Sequence, residues 1–163
     1  MPESVPPRRA AVLACVAVVS VLSGCGSGRP VGVVNVAESY LHDLADARYG
    51  AACGLFTDDL RRRLGDCEQA VRRVVDGLPV RERDELRYVR VRKATYHGNQ
   101  AQVYPADVTT DASPTPVASG KPKPRRTAVR SIAANHALDG HSLTLEKVGD
   151  AWLISGGVGD LHQ

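Results

Sequence analysis

The chain has 163 residues, with 21 Lys and Arg against 18 Asp and Glu, a formal net charge of +3. That balance excludes the basic excess expected of a nucleic-acid partner, and the length suits one domain around a single core. None of the four cysteines stands in the Cys-x-x-Cys spacing of a redox enzyme.

Residues 1–24 carry the parts of an export signal in order: Arg8 and Arg9, an apolar run over 10–22, then the small residues Ser23 and Gly24. The run is shorter than the roughly 20 apolar residues that a helix needs to cross a bilayer, so a retained transmembrane anchor is disfavoured. Leu22-Ser23-Gly24-Cys25 closes it and resembles the lipobox of bacterial lipoproteins, with an aliphatic residue, a small residue, Gly and then Cys. The resemblance implies cleavage between Gly24 and Cys25 and a diacylglycerol thioether on Cys25. It also implies a lipid anchor at the extracytoplasmic face of the cell membrane. Two acyl chains hold a protein stably where one does not. The alternative is a soluble secreted protein in which Cys25 is incidental. Arg8-Arg9 is followed by Ala10, Ala11 and Val12 rather than the rest of a twin-arginine motif, so general secretory export is the default.

With Cys15 lost in the leader and Cys25 lipidated, Cys53 and Cys67 are the remaining pair. Outside the cytoplasm they are expected to form a structural disulfide rather than stay free or act as a catalytic thiol. A loop of this size makes such a bond worth about 3 kcal/mol.

Residues 25–32 have the Gly, Ser and Pro composition of a flexible tether. Val36, Tyr40, Leu44 and Ala47 then recur at helical spacing, with Asn35 and Glu38 as a capping-box-like start and Gly50 as the stop. A short helix over 51–56 is expected next. Thr57 opens another through Leu60 and Leu64, its acidic first turn of Asp58 and Asp59 matching the helix dipole, and Gly65 ends it. Asp66 caps a fourth carrying Cys67, Val71, Val74 and Val75, which ends near Gly77-Leu78-Pro79.

From Leu86 the period changes. Residues 86–96 alternate Val89 and Val91 with Arg90 and Arg92 and read as a half-exposed strand. His97-Gly98-Asn99-Gln100 is turn chemistry, so residues 101–109 return as the hairpin partner. Residues 127–135, 142–148 and 151–155 read as further strands, with Asp139-Gly140 and Gly149-Asp150 as turns. Trp152 and Ile154 share one face of the last strand. Helices followed by a strand meander is an α+β order.

That order, the long first helix with Tyr40, the Cys53 and Cys67 pair and the closing 147–154 hairpin resemble the nuclear transport factor 2-like (cystatin-like) superfamily. The likeness covers residues 33–157, with 158–163 as a tail, and implies N-terminal helices packed on a curved antiparallel sheet to form a cone. Asp150-Ala151-Trp152 stands where such domains more often have Asp-Gly-Trp.

Between the two β blocks, residues 111–126 lack apolar periodicity and hold four prolines, as in a disordered or polyproline-like hairpin tip. Lys121, Lys123, Arg125 and Arg126 are candidates for contact with anionic headgroups or wall polymers, and Ser113, Thr115 and Ser119 for O-linked sugars. The plainer reading is a solvated insertion.

No Gly-rich phosphate loop, His-Glu-x-x-His helix or Gly-x-Ser-x-Gly elbow occurs, and no metal or cofactor is expected. His136, His141 and Asp139 cluster near a turn but read as exposed polar residues rather than a ligand set. Some cones of the resembled superfamily house isomerase- or cyclase-like enzymes, which need a base and a hydrogen-bond donor in an apolar pocket; Tyr40, Tyr104 and Asp107 are the residues able to supply them here. No motif maps onto those enzymes, and no residue is assigned a catalytic role. The expectation is a non-enzymatic module that binds an envelope protein or a small apolar ligand. The alternatives are an enzyme using the cone pocket and a structural adaptor that forms a homodimer through its sheet.

Overall fold

The computed structural model describes residues 32–110 and 129–158. Five helices come first: α1 (Val33–Ala45), α2 (Tyr49–Gly54), α3 (Asp58–Leu64), α4 (Cys67–Asp76) and α5 (Val80–Glu85). Strands β1 (Val89–Val91), β2 (Thr95–His97), β3 (Gln100–Val103), β4 (Val108–Thr110) and β5 (Val129–Arg130) follow, then α6 (Ile132–Ala137) and the closing hairpin of β6 (Leu143–Val148) and β7 (Ala151–Gly156). The chain is an α+β protein, helices leading into antiparallel sheet.

α1 starts before the expected cap, at Gly32, because burying Val33 completely extends the apolar stripe of Val36, Tyr40 and Leu44 by one turn. Asn35 is exposed and caps nothing. The helix also stops before Gly50. Ala47 adopts a left-handed φ of 55°, its N–H bonds to the Leu44 carbonyl, and the Arg48 N–H bonds to the Asp43 carbonyl at 2.8 Å. That is a Schellman closure with Ala where Gly is usual, and Gly50 falls inside α2. Thr57 and Asp66 cap as expected, accepting from the Leu60 and Gln69 N–H groups. α5 occupies a segment to which the sequence pattern assigns no element.

The expected 86–96 and 101–109 hairpin is one long hairpin bent between two sheets. Its outer half pairs β2 with β3 inside the four-stranded sheet β2-β3-β6-β7, and its inner half pairs β1 with β4 in the three-stranded sheet β1-β4-β5. Val91 faces Val108 and Thr95 faces Gln102, so residues 92–94 oppose the longer 103–107 stretch. The surplus is absorbed by a 3-10 turn, Pro105–Asp107, whose Asp107 carbonyl accepts the Arg92 N–H at 2.8 Å. A second 3-10 turn, Leu86–Tyr88, replaces the start of the expected strand.

The strand expected over 127–135 is corrected by α6. The Ser131 side chain accepts the Ala134 N–H, and Ala133, Ala134 and Ala137 turn inward from a run with little β propensity.

The core lies between α1 and the inner faces of both sheets. Val33, Val36, Tyr40 and Leu44 meet Val89, Val91, Ala101, Val103, Leu145 and Ile154 in one apolar cluster. α1 also finishes the free edge of β1: Glu38 Oε1 accepts the Val91 N–H at 2.8 Å, and His42 Nε2 lies 3.3 Å from the Val89 carbonyl. Side chains thus replace the missing neighbouring strand.

Candidate functional site

Cys53 of α2 and Cys67 at the start of α4 form a disulfide with Cα atoms 6.1 Å apart. The bond joins two helices that already pack together, and the Arg72 guanidinium of α4 lies 5.3 Å from the centre of the Tyr49 ring of α2. Beyond that junction the chain crosses to the last strand. Phe56 bridges Ile154 in parallel fashion, the Ile154 N–H donates to Leu55 and the Thr57 N–H to the Ile154 carbonyl. The 55–57 segment therefore covers the free edge of β7 and carries α3 alongside the sheet.

A solvent-open cleft of about 500 Å³ results, between the α2–α3 turn, the first turns of α3 and the outward side of β6 and β7. Phe56, Val148 and Leu153 supply apolar surface; Asp58, Asp59, Arg61 and Glu146 supply charge. Both aspartates are paired on their own helix, Asp58 with Arg61 and Asp59 with Arg62 and Arg63. The hydrogen bond from Arg61, reinforced by its charge, holds the Asp58 carboxyl below the usual aspartate range. Asp58 is thereby not poised as a general base near neutral pH. Arg63 fixes α3 to the sheet by donating to the Ser155 carbonyl at 2.9 Å.

The three residues considered for a cone pocket have different surroundings. Tyr40 is fully buried, its ring tilted against Phe56 at 5.6 Å between centres, and its hydroxyl has no hydrogen-bond partner among the described residues. Burial pushes that hydroxyl's pKa well up, so it stays protonated. Tyr104 is exposed and donates to Gln102 Oε1 at 2.6 Å. Asp107 sits half-buried in the 3-10 turn at the sheet bend. None of the three lines the cleft.

His136 Nδ1 lies 2.7 Å from Glu82 Oε2, which joins α6 to α5. Among the described residues no group of three or more His, Cys, Asp or Glu is arranged to hold a metal ion, and no helix is long and apolar enough to cross a membrane. Gly24, Cys25 and the basic set Lys121, Lys123, Arg125 and Arg126 lie outside the described residues.

Sequence reasoning missed the cleft because its parts are remote along the chain. The acidic start of α3 reads from sequence as helix-dipole chemistry, which it also is, and Glu146 and Leu153 fall in segments that read as strands. No protein family, curated protein or solved structure matches this chain.

Proposed function

We propose that this chain is a cell-envelope lipoprotein, held at the extracytoplasmic face of the membrane by a diacylglyceryl group on Cys25. Its α+β domain is a non-enzymatic binding module. The observation that carries the reading is the Cys53–Cys67 disulfide. Such a bond persists in an oxidising compartment, the destination that a lipobox ending at Cys25 implies. It also accounts for two of the four cysteines without calling on Cys25.

The cone of the nuclear transport factor 2-like fold belongs to the same proposal. It is supported by α1 packing against β1, β3 and β7 and by the bend that turns the long hairpin from one sheet into the other. The binding role rests on the cleft beside β7, whose volume falls in the range of small-molecule sites, roughly 300–1,000 Å³. Its apolar floor and charged rim suit an amphipathic ligand or a short segment of an envelope protein.

Cys25→Ser tests the anchor. The variant is expected to accumulate as an unprocessed precursor or to be released, and to take up no labelled fatty acid. A fully processed variant that still needs detergent to leave the membrane would overturn the proposal.

A further inference from the structure

The inner face of the four-stranded sheet is covered along only part of its length. Tyr96, Ala101, Leu145 and Ile154 stand in one row across it. Ala101, Leu145 and Ile154 are fully buried, yet Tyr96 is 57% exposed. In the adjacent row Trp152 faces Lys147 on that same side of the sheet. The Trp152 and Tyr96 rings meet edge to face, 5.8 Å between centres. The turns of both hairpins lie at this end, joined where the Lys147 N–H donates to the Asn99 carbonyl at 2.8 Å.

The direction of α1 identifies this end. Asp46 bonds Arg87, His42 approaches Val89 and Glu38 bonds Val91. Each step of about four residues back along the helix thus advances two along the chain beside it, about 6 Å in either element. Continued, the progression brings Gly32 level with the lead-in to β2. Val34 and Ala94, both at the margin of the core, fit that placement. The chain therefore enters the domain beside the lead-in to β2, two residues before Tyr96, whose ring meets Trp152.

We propose that Tyr96 and Trp152, with Lys147 beside them, form a membrane-facing patch that seats the domain on the lipid surface. The proposal rests on the lipid anchor at Cys25. Between Cys25 and Gly32 even a fully extended chain spans at most about 25 Å, so this end of the domain stays within that reach of the bilayer. Tyr and Trp rings concentrate at headgroup depth, where the ring leaves water while the O–H or N–H keeps a polar partner. The Lys147 stem can lie along the rings with its ammonium at the lipid phosphates. So small a patch binds membranes weakly alone, but the anchor makes its contact intramolecular and raises its effective concentration.

Trp152 is the only tryptophan in the chain and reports the contact directly. Full-length lipidated protein is reconstituted into phosphatidylethanolamine and phosphatidylglycerol vesicles, with and without a lipid bearing a nitroxide near its headgroup. Trp152 emission is expected to fall with the nitroxide lipid. The Tyr88→Trp, Trp152→Phe double variant, which moves the reporter to an exposed position at the opposite end of α1, is expected to keep its emission. Protein that floats with the vesicles while Trp152 stays unquenched, or is quenched no more than the double variant, overturns the patch and leaves the anchor standing. Failure to float overturns both readings. Shielding of Trp152 that follows protein density and ignores the nitroxide overturns the patch in favour of a second copy of the chain. The unsubstituted protein alone suffices for the first comparison, so the outcome does not hinge on the variant folding.

Discussion

At its C-terminal end α1 is tied down by polar groups. Arg48 pairs with Asp43 at 2.7 Å and with Asp46 at 3.0 Å, and Arg87 reaches both Asp46 and the Ala45 carbonyl. Slightly further back, Glu38 and His42 finish the edge of β1. At its N-terminal end the helix begins on Gly32 with no side-chain cap, and the sheet beneath it runs out into the exposed Tyr96 and the half-buried Trp152. One end uses charge and hydrogen bonds to finish backbone and carboxylates in water. The other leaves aromatic surface that such ties would have covered. Among the described residues that aromatic surface is what the proposed membrane contact would cover.

The largest expected effect sets the scale for both. Opening the Cys53–Cys67 bond, by reduction or by replacing both cysteines with serine, loosens the α2–α4 layer that packs on α1. It should lower stability by about 3 kcal/mol, read as a shift in the urea midpoint; an unchanged midpoint would mean the bond constrains nothing that unfolding releases. Next comes Glu38→Ala, which strips the Val91 N–H of its acceptor at the tied end. A loss of about 1–3 kcal/mol is expected, with Glu38→Gln, which keeps an acceptor oxygen, losing much less. Equal losses from the two variants would show that charge, rather than the edge hydrogen bond, matters there.

The smallest effect is electrostatic. The hydrogen bond from Arg87 is the main reason that the Asp46 pKa is lowered, with the charges of Arg48 and Arg87 adding to it. A carboxylate with a depressed folded pKa contributes stability above its unfolded value, about 3.9, and loses it as pH falls through the folded pKa. Unfolding midpoints should therefore decline below about pH 4, and less steeply in Arg87→Ala. Parallel acid limbs for the two proteins would remove this pair from the account of the tied end.

Much of the helical half was legible because its signals are local. Thr57 and Asp66 each bond an N–H three residues ahead, so the residue types that announce a helix start are the ones that make it. The turns at 97–100 and 149–150 were equally readable, since Gly98 and Gly149 both take a positive φ. Where neighbours remote along the chain decide, the reading failed. Ala47 ended α1 against the preference for Gly, and Gly50 was passed through inside a helix. The 132–137 segment became helix because Ser131, which also donates to Glu85 at 2.9 Å, is held where it can cap.

The candidate sites divide along the same line. The Leu22–Cys25 pattern is contiguous and readable without a fold, and the expected pairing of Cys53 with Cys67 followed from what its lipobox resemblance implies for Cys15 and Cys25. The cleft joins Phe56 and Asp58 to Glu146 and Leu153, and the aromatic patch joins Tyr96 to Trp152. Sequence period assigned Trp152 to the face of Ile154, and both do share that face. It could not say that one would be buried and the other left at the margin, because burial depends on which remote segments pack over each row of the sheet, as the 55–57 segment does at Ile154. By itself the sequence determined the Thr57 and Asp66 caps, the turns at 97–100 and 149–150 and the α+β order, all set by short-range chemistry. Only the tertiary structure decided which carboxylates finish an edge, which tyrosine lies in the core and which apolar surface stays open, because those depend on how α1 crosses two sheets bent against each other.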